Sequence, residues 1–197
     1  MVHSVAVIKN TRERIMAAAL DLFAERGVLG TPVTSIEAAA GLSPGSGSFY
    51  RHFKDRQELL AAVVEREITR VAKLPVDPST TDGTRASELA AQLCNDLAFL
   101  GELRRLIAIL FWERGKAPDV AERVRSLMVE RGVELGIAEL LLTDPIDVVR
   151  ADPSAASTVM MCAMVGYFLS MEYFGTPPAE VDPDRFTRTL ARLLVRG

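Results

Sequence analysis

Between Thr34 and Lys54 the chain gathers hydroxyl and cationic side chains at short intervals: Thr34, Ser35, Ser43, Ser46, Ser48, Tyr50, Arg51, His52 and Lys54. Such groups donate hydrogen bonds to anionic oxygens, and an arginine adds a planar fork for paired acceptors. That is chemistry for binding. Chemistry for catalysis is hard to assemble. His3 and His52 are the two histidines, and no nucleophile–base pair or metal-ligand spacing stands out. Cys94 and Cys162 lie far apart inside apolar helical patterns, with no CxxC or Cys/His cluster, so neither a metal nor a disulfide scaffold is expected. Nothing calls for a cofactor.

The polar residues need a scaffold, and the flanking pattern supplies one. Asn10 followed by Glu13 is an N-cap signature. Ile15, Ala18, Ala19, Leu22 and Phe23 then recur at helical spacing up to Gly27. Thr34 with Glu37 fits a capping box opening a short helix, whose inner face is Ile36, Ala39 and Ala40 and which runs out at Gly41. Ser43-Pro44 reads as a second helix start, with Ser as cap and Pro at the first position. Asp55 with Glu58 reads as a third, leading through Leu59, Leu60, Val63 and Val64. Leu42, Phe49 and Phe53 can share one buried face, leaving Ser46, Ser48, Tyr50, Arg51 and His52 on exposed arcs. Two short helices joined by a tight glycine turn can place the second helix in the DNA major groove.

Thr11 to Val63 resembles the N-terminal domain of TetR-family transcriptional regulators. The AALDLFAERG helix, the TSIEAAAGLS turn and the FYRHFKDRQELL run carry the likeness. The resemblance implies an all-helical homodimer of roughly nine helices per subunit, a ligand pocket in the C-terminal domain, and release of DNA on ligand binding. It implies phosphate contacts from Thr34, Tyr50, His52 and Lys54, within a DNA-binding set completed by Ser35, Ser43, Gly45, Ser46, Gly47, Ser48 and Arg51. Ser46, Ser48 and Arg51 are the candidates for base edges, since an arginine can bridge guanine O6 and N7. One departure stands out. Ser43-Pro44-Gly45-Ser46-Gly47-Ser48-Phe49-Tyr50 is longer than the usual family connection and carries two glycines, each weakening a helix by about 0.8–1.0 kcal/mol relative to Ala. Two readings stay open: a loop mobile until it meets DNA, or a segment whose small residues let the backbone approach the groove closely.

Beyond the loop Pro75 to Thr84, helices are expected at Arg85–Leu100, Glu102–Arg114, Pro118 to about Leu142, Pro153–Gly175 and from near Asp184, the last with Phe186, Leu190, Leu193 and Leu194 on one side. The fold expected is all-α. It divides into an N-terminal three-helix DNA-binding domain (1–54), a connecting helix (55–74) and a larger helical regulatory and dimerisation domain (75–197). Phe99, Leu103, Ile107, Phe111, Trp112, Glu113, Met128, Met164, Tyr167, Phe168 and Met171, with Met160, are candidates for an adaptable apolar pocket, ordinary core being the competing reading for each. By family analogy, residues 154–174 and 184–195 would form the homodimer interface.

Composition agrees with this organisation. The chain has 197 residues, 49% hydrophobic and 25% charged, and a net charge of -3. Residues 1–74 carry +2 and the remainder -5, a slightly basic head on an acidic body. No secretory signal pattern opens the sequence, and the run Val159 to Leu169 is short for a bilayer span of about 20 residues. A soluble cytoplasmic protein without a membrane role is expected. The function expected is a sequence-specific DNA-binding regulator, in the first instance a repressor that a small, largely apolar ligand releases from a palindromic operator in double-stranded DNA. A regulator without a small-molecule effector is the alternative, and an all-helical enzyme a distant third.

Overall fold

The computed structural model describes residues 2–71, 73 and 83–196. The expected loop at 75–84 lies outside them apart from Gly83 and Thr84. Among the described residues the chain is helical throughout its regular elements. They are α1 (Val2–Arg26), α2 (Val33–Ala39), α3 (Arg56–Val71), α4 (Arg85–Glu102), α5 (Arg104–Trp112), α6 (Pro118–Val124), α7 (Arg131–Leu142), α8 (Asp147–Ala151), α9 (Pro153–Phe174) and α10 (Pro183–Leu194). A wider π-type stretch, Arg125–Glu130, links α6 to α7, so the long helix expected from Pro118 to Leu142 is interrupted in its middle.

The helices gather into two compact units: Met1–Leu74 with Leu103–Arg123, and Pro75–Glu102 with Val124–Gly197. The expected division placed everything after residue 75 in one domain. Instead, α5, the turn after it and α6 up to Arg123 fall in one unit with the N-terminal helices.

In the first unit, α1 is the central element and contacts α2, α3 and α5. Ile15, Met16, Ala19, Leu20 and Phe23 are buried along it, while Leu22 is only half-buried. Helix α1 begins at Val2, so Asn10 lies inside it and does not cap it. Gly27 ends it in the left-handed conformation at φ 70°. Beyond that end, Trp112 Nε1 donates to the Ala24 carbonyl (3.1 Å) and Glu113 Oε1 accepts the Val28 amide (3.0 Å). These two bonds pin the C-terminal end of α5 to that of α1. They explain why α5 leaves the domain its sequence position suggests.

In the second unit, Leu89, Ala90 and Leu93 of α4 pack with Leu140, Met160, Met164, Leu190, Ala191 and Leu194 in one apolar core. Asp152 caps α9, accepting the Ala155 amide at 3.0 Å, with Pro153 at the first position and Gly175 (φ 69°) closing it. Helix α10 starts slightly earlier than expected, because Asp182 rather than Asp184 supplies the cap, at 2.8 Å to the Arg185 amide. Leu193, expected on the apolar side, is 64% exposed.

Helix α9 has the bounds expected of it, closed by Gly175, but its apolar stretch is longer than the run Val159 to Leu169. All 22 of its residues are helical, and it is long and apolar enough, by length and composition, to cross a membrane. Only 28% of its most apolar stretch is buried, and Val159, Tyr173 and Phe174 are exposed. A helix apolar all round needs cover from its own subunit or from a partner.

Leu93 is fully buried at the centre of the second core. Replacing Leu93 with Ala should cost about 2–5 kcal/mol of unfolding free energy, since a cavity remains where the side chain was. Denaturant unfolding measures this, and an unchanged midpoint would place Leu93 outside the core.

Candidate nucleic-acid interface

The interface is built from α2, the turn after it and the residues to Lys54. Helix α2 starts one residue before Thr34, behind Pro32, and no side chain caps it. The expected Thr34–Glu37 capping box is therefore not formed. Thr34 is exposed on the first turn, and Ser35 half-buried beside it. Of the expected inner face, Ile36 and Ala40 are buried and Ala39 is exposed. The Gly41 amide donates to the Ala38 carbonyl at 2.9 Å, and the Leu42 amide to that of Glu37 at 2.8 Å. Gly41 sits at φ 67°, where a side chain is strained, and a Cβ there would also lie 2.6 Å from Arg14 Nη2. That guanidinium crosses from α1 and donates to the carbonyls of Ala40 and Gly41. It satisfies acceptors that the end of α2 would otherwise leave open.

The helix start expected at Ser43-Pro44 is absent. Residues 43–48 form a turn instead, with Gly45 at φ 78° and Gly47 at φ 71°. No atom lies within 4 Å of a Cβ built at either glycine, so the backbone conformation alone favours glycine there. The Ser46 and Ser48 hydroxyls are hydrogen-bonded to each other at 2.8 Å. A single 3₁₀ turn, Phe49–Arg51, follows.

Phe49 and Phe53 are fully buried, as their spacing predicts. Their rings lie 5.9 Å apart, and the Arg12 guanidinium stands 4.8 Å from the centre of the Phe53 ring. The residues between and around them point outward. Ser43, Gly45, Ser46, Tyr50, Arg51 and Lys54 are exposed, while Gly47, Ser48 and His52 are half-buried. Behind this segment Asp55 Oδ1 caps α3 by accepting the Gln57 and Glu58 amides, and Glu58 reaches back to the Lys54 amide at 2.7 Å. That start follows the expected pattern. The resulting surface carries hydroxyls and three basic side chains on a short, rigidly backed ridge, a form suited to contact with a polyanion.

Three residues of this region escaped the sequence reading. Arg12 and Arg14 look like ordinary solvated charges on α1. Glu37 fits a capping box by its spacing from Thr34, yet it is 1% exposed, and its carboxylate accepts the amides of Gly45 (2.7 Å) and Phe49 (3.0 Å). The available signal was its position next to Ile36, on the face that must turn inward.

The candidate pocket residues are divided. Leu103, Ile107, Phe111, Trp112 and Glu113 belong to the first unit, and Phe99, Met164, Tyr167, Phe168 and Met171 to the second; the Met128 side chain lies outside the described residues. Trp112 and Glu113 are engaged with α1, as above. Met160 and Met164 are members of the second core. Tyr167 stacks on Phe186 at 4.2 Å and donates its hydroxyl to the Val181 carbonyl at 2.8 Å.

A carboxylate pair in the second unit was not anticipated. Burial pushes Glu139 up to about 7, with the charge of Asp96 adding to the effect, and burial raises Asp96 as well, against a hydrogen bond from Gln92. A raised acid favours the folded state fully below its ordinary value of 4.5, and that contribution fades as pH climbs through about 7. Melting temperatures at pH 5 and pH 8 should therefore differ less in Glu139→Gln than in the parent. An identical difference in both proteins would remove Glu139 as its source.

Residues 15–63 match the family model described as "Bacterial regulatory proteins, tetR family". The HTH-type transcriptional regulator AcrR of Shigella flexneri is 36% identical over 78 residues, which are 36% of this chain and 35% of that protein. The HTH-type transcriptional regulator SAUSA300_2515 of Staphylococcus aureus (strain USA300) is 38% identical over 60 residues, 30% of this chain and 31% of that protein. The chain thus matches about a third of the length of these curated relatives. Among solved structures, a TetR transcriptional regulator from Chloroflexus aurantiacus J-10-FL superposes with a TM-score of 0.70 at 21% identity, covering 95% of each chain. A tetR-family regulatory protein from Rhodococcus RHA1 gives 0.67 at 16% identity over 95% of this chain and 98% of the other. These two likenesses concern the fold.

Proposed function

We propose that this chain, whose residues 15–63 match the model of the tetR family of bacterial regulatory proteins, is a sequence-specific DNA-binding transcriptional regulator of that family acting in the cytoplasm. The observation that carries this reading is the exposed ridge Ser43–Lys54, mounted on buried Phe49 and Phe53 inside the segment that matches the family model. The relatives it matches are named as transcriptional regulators, which supports a binding role rather than an enzymatic one.

The working unit is a homodimer through α9 and α10. The uncovered apolar surface of α9 and the exposed Leu193 of α10 support it, since a second copy would bury both. An isologous pair would set two ridges about 34–36 Å apart, matching successive major grooves on one face of a palindromic operator. In-vitro selection from random double-stranded DNA should enrich such a palindrome. Failure to enrich any motif would sink the proposal.

The chain acts as a repressor, and a small, largely apolar ligand releases it by binding the non-DNA conformation better. A regulator without an effector remains the second reading, because Met160, Met164 and Tyr167 are packed as core. A melting screen with apolar compounds separates the two. A dose-dependent stabilisation supports the effector, and none from a broad set favours the second reading.

Thr34, Tyr50, His52 and Lys54 serve as phosphate contacts, and Ser46, Ser48 and Arg51 face the bases. Lys54→Ala should weaken binding about equally on all DNA sequences and reduce the salt slope by roughly one. A changed base preference in that variant would reassign Lys54 to the bases.

A further inference from the structure

The geometry points to Glu37 as a positioning residue: its carboxylate holds the amides of Gly45 and Phe49 and so pre-forms the segment that meets DNA. The inference rests on the proposal that Ser43–Lys54 is the DNA-contacting ridge. Base discrimination then depends on a buried side chain that does not itself touch DNA.

The two carboxylate oxygens divide the work. Oε2 takes the amide of Gly45, the first left-handed glycine of the turn, and Oε1 takes the amide of Phe49, the first residue of the 3₁₀ turn. The span between those anchors is Ser46-Gly47-Ser48. Within it, the bonds are local: from the Ser46 amide to the Ser43 carbonyl (3.2 Å), from the Ser48 amide to the Ser46 hydroxyl (3.4 Å), and between the two serine hydroxyls. Among the described residues, Glu37 is therefore a polar tie between this span and the body of the domain. Glycine-containing turns lose more backbone freedom on ordering than other segments, and hydrogen bonds to an ionised acceptor are about twice as strong as neutral ones. Glu37 is 1% exposed, and its bond to Phe49 is buried while that to Gly45 is part-buried, so water competes little for the carboxylate.

This placement has a second effect. The amides of Gly45 and Phe49 are occupied from inside the protein, so they are not offered to phosphate. The ridge meets DNA through side chains, and Glu37 governs their direction rather than the number of phosphate contacts.

The first test needs no substitution. Amide hydrogen exchange on the full chain without DNA should show Gly45 and Phe49 slowed by roughly tenfold or more; exchange of both at unprotected rates overturns the inference. The second test is Glu37→Gln, which puts an amide nitrogen where one of the two oxygens must accept. Affinity for the selected operator should fall by about tenfold or more. Affinity for non-specific DNA and the salt slope should stay within about twofold. Unchanged operator affinity overturns the inference, and so does an equal loss on both DNAs. If the parent protein selects no operator, the proposed function fails, while the exchange experiment still decides whether Glu37 orders the segment.

Discussion

Two phenylalanines four residues apart, both removed from water, set the shape of what faces outward between Phe49 and Lys54. Phe49 and Phe53 are at 0% and 1% exposure, and each contributes on the order of 2 kcal/mol or more by burial. A chain pinned at both points must arch over the surface between them. The side chains of Tyr50 and Arg51 then have no inward space to occupy. The arch is short, so a single 3₁₀ turn suffices where a longer connection could have built a helix.

Other features of the first unit keep those pins in place. Arg14 closes the end of α2, Asp55 opens α3, and Arg12 lies over Phe53. On the opposite end of α1, Trp112 and Glu113 fasten α5 to the same helix. Glu113 Oε2 is buried there without a hydrogen-bond partner, although the other oxygen of the same carboxylate is satisfied. Half of a buried carboxylate left uncompensated carries a desolvation cost. The site tolerates it because Val28 and the left-handed Gly27 define the end of α1 through that residue. A Cβ on Gly27 would meet Trp112 at 3.2 Å, so this contact is tight as well as polar.

Periodicity made the long helices legible. The pattern in Ile15, Ala19 and Phe23 survives in the structure because burial on one face is what creates such patterns. Capping was legible where a single acid sits before a helix, as at Asp55, but failed at Thr34. There Pro32 starts the helix earlier, and Glu37 finds better donors ahead of it than behind. The turn at 43–48 was ambiguous because Ser-Pro is a helix start in isolation, and only the paired left-handed glycines decide against it. The packing of Trp112 and Glu113 was not legible at all. Their partners, Ala24 and Val28, are more than eighty residues distant in sequence, and no local pattern encodes a contact of that separation. The short α8, at Asp147–Ala151, was missed for lack of enough residues to show a period.

The empty space around Gly45 and Gly47 bears on how such a domain can change. Neither glycine has a neighbouring atom within 4 Å of the missing Cβ, and Gly45 is tied to the domain through its amide, which Glu37 accepts. The turn at 43–48 thus has no side chain pressed against these two positions, and residues added or lost there would disturb few packed atoms as long as the Glu37 bonds to Gly45 and Phe49 re-form. Length variation in this connection is compatible with an unaltered three-helix support. Partner preference can drift at the crest of the ridge while the hydrophobic footing beneath it stays constant, which separates what the domain recognises from what keeps it folded.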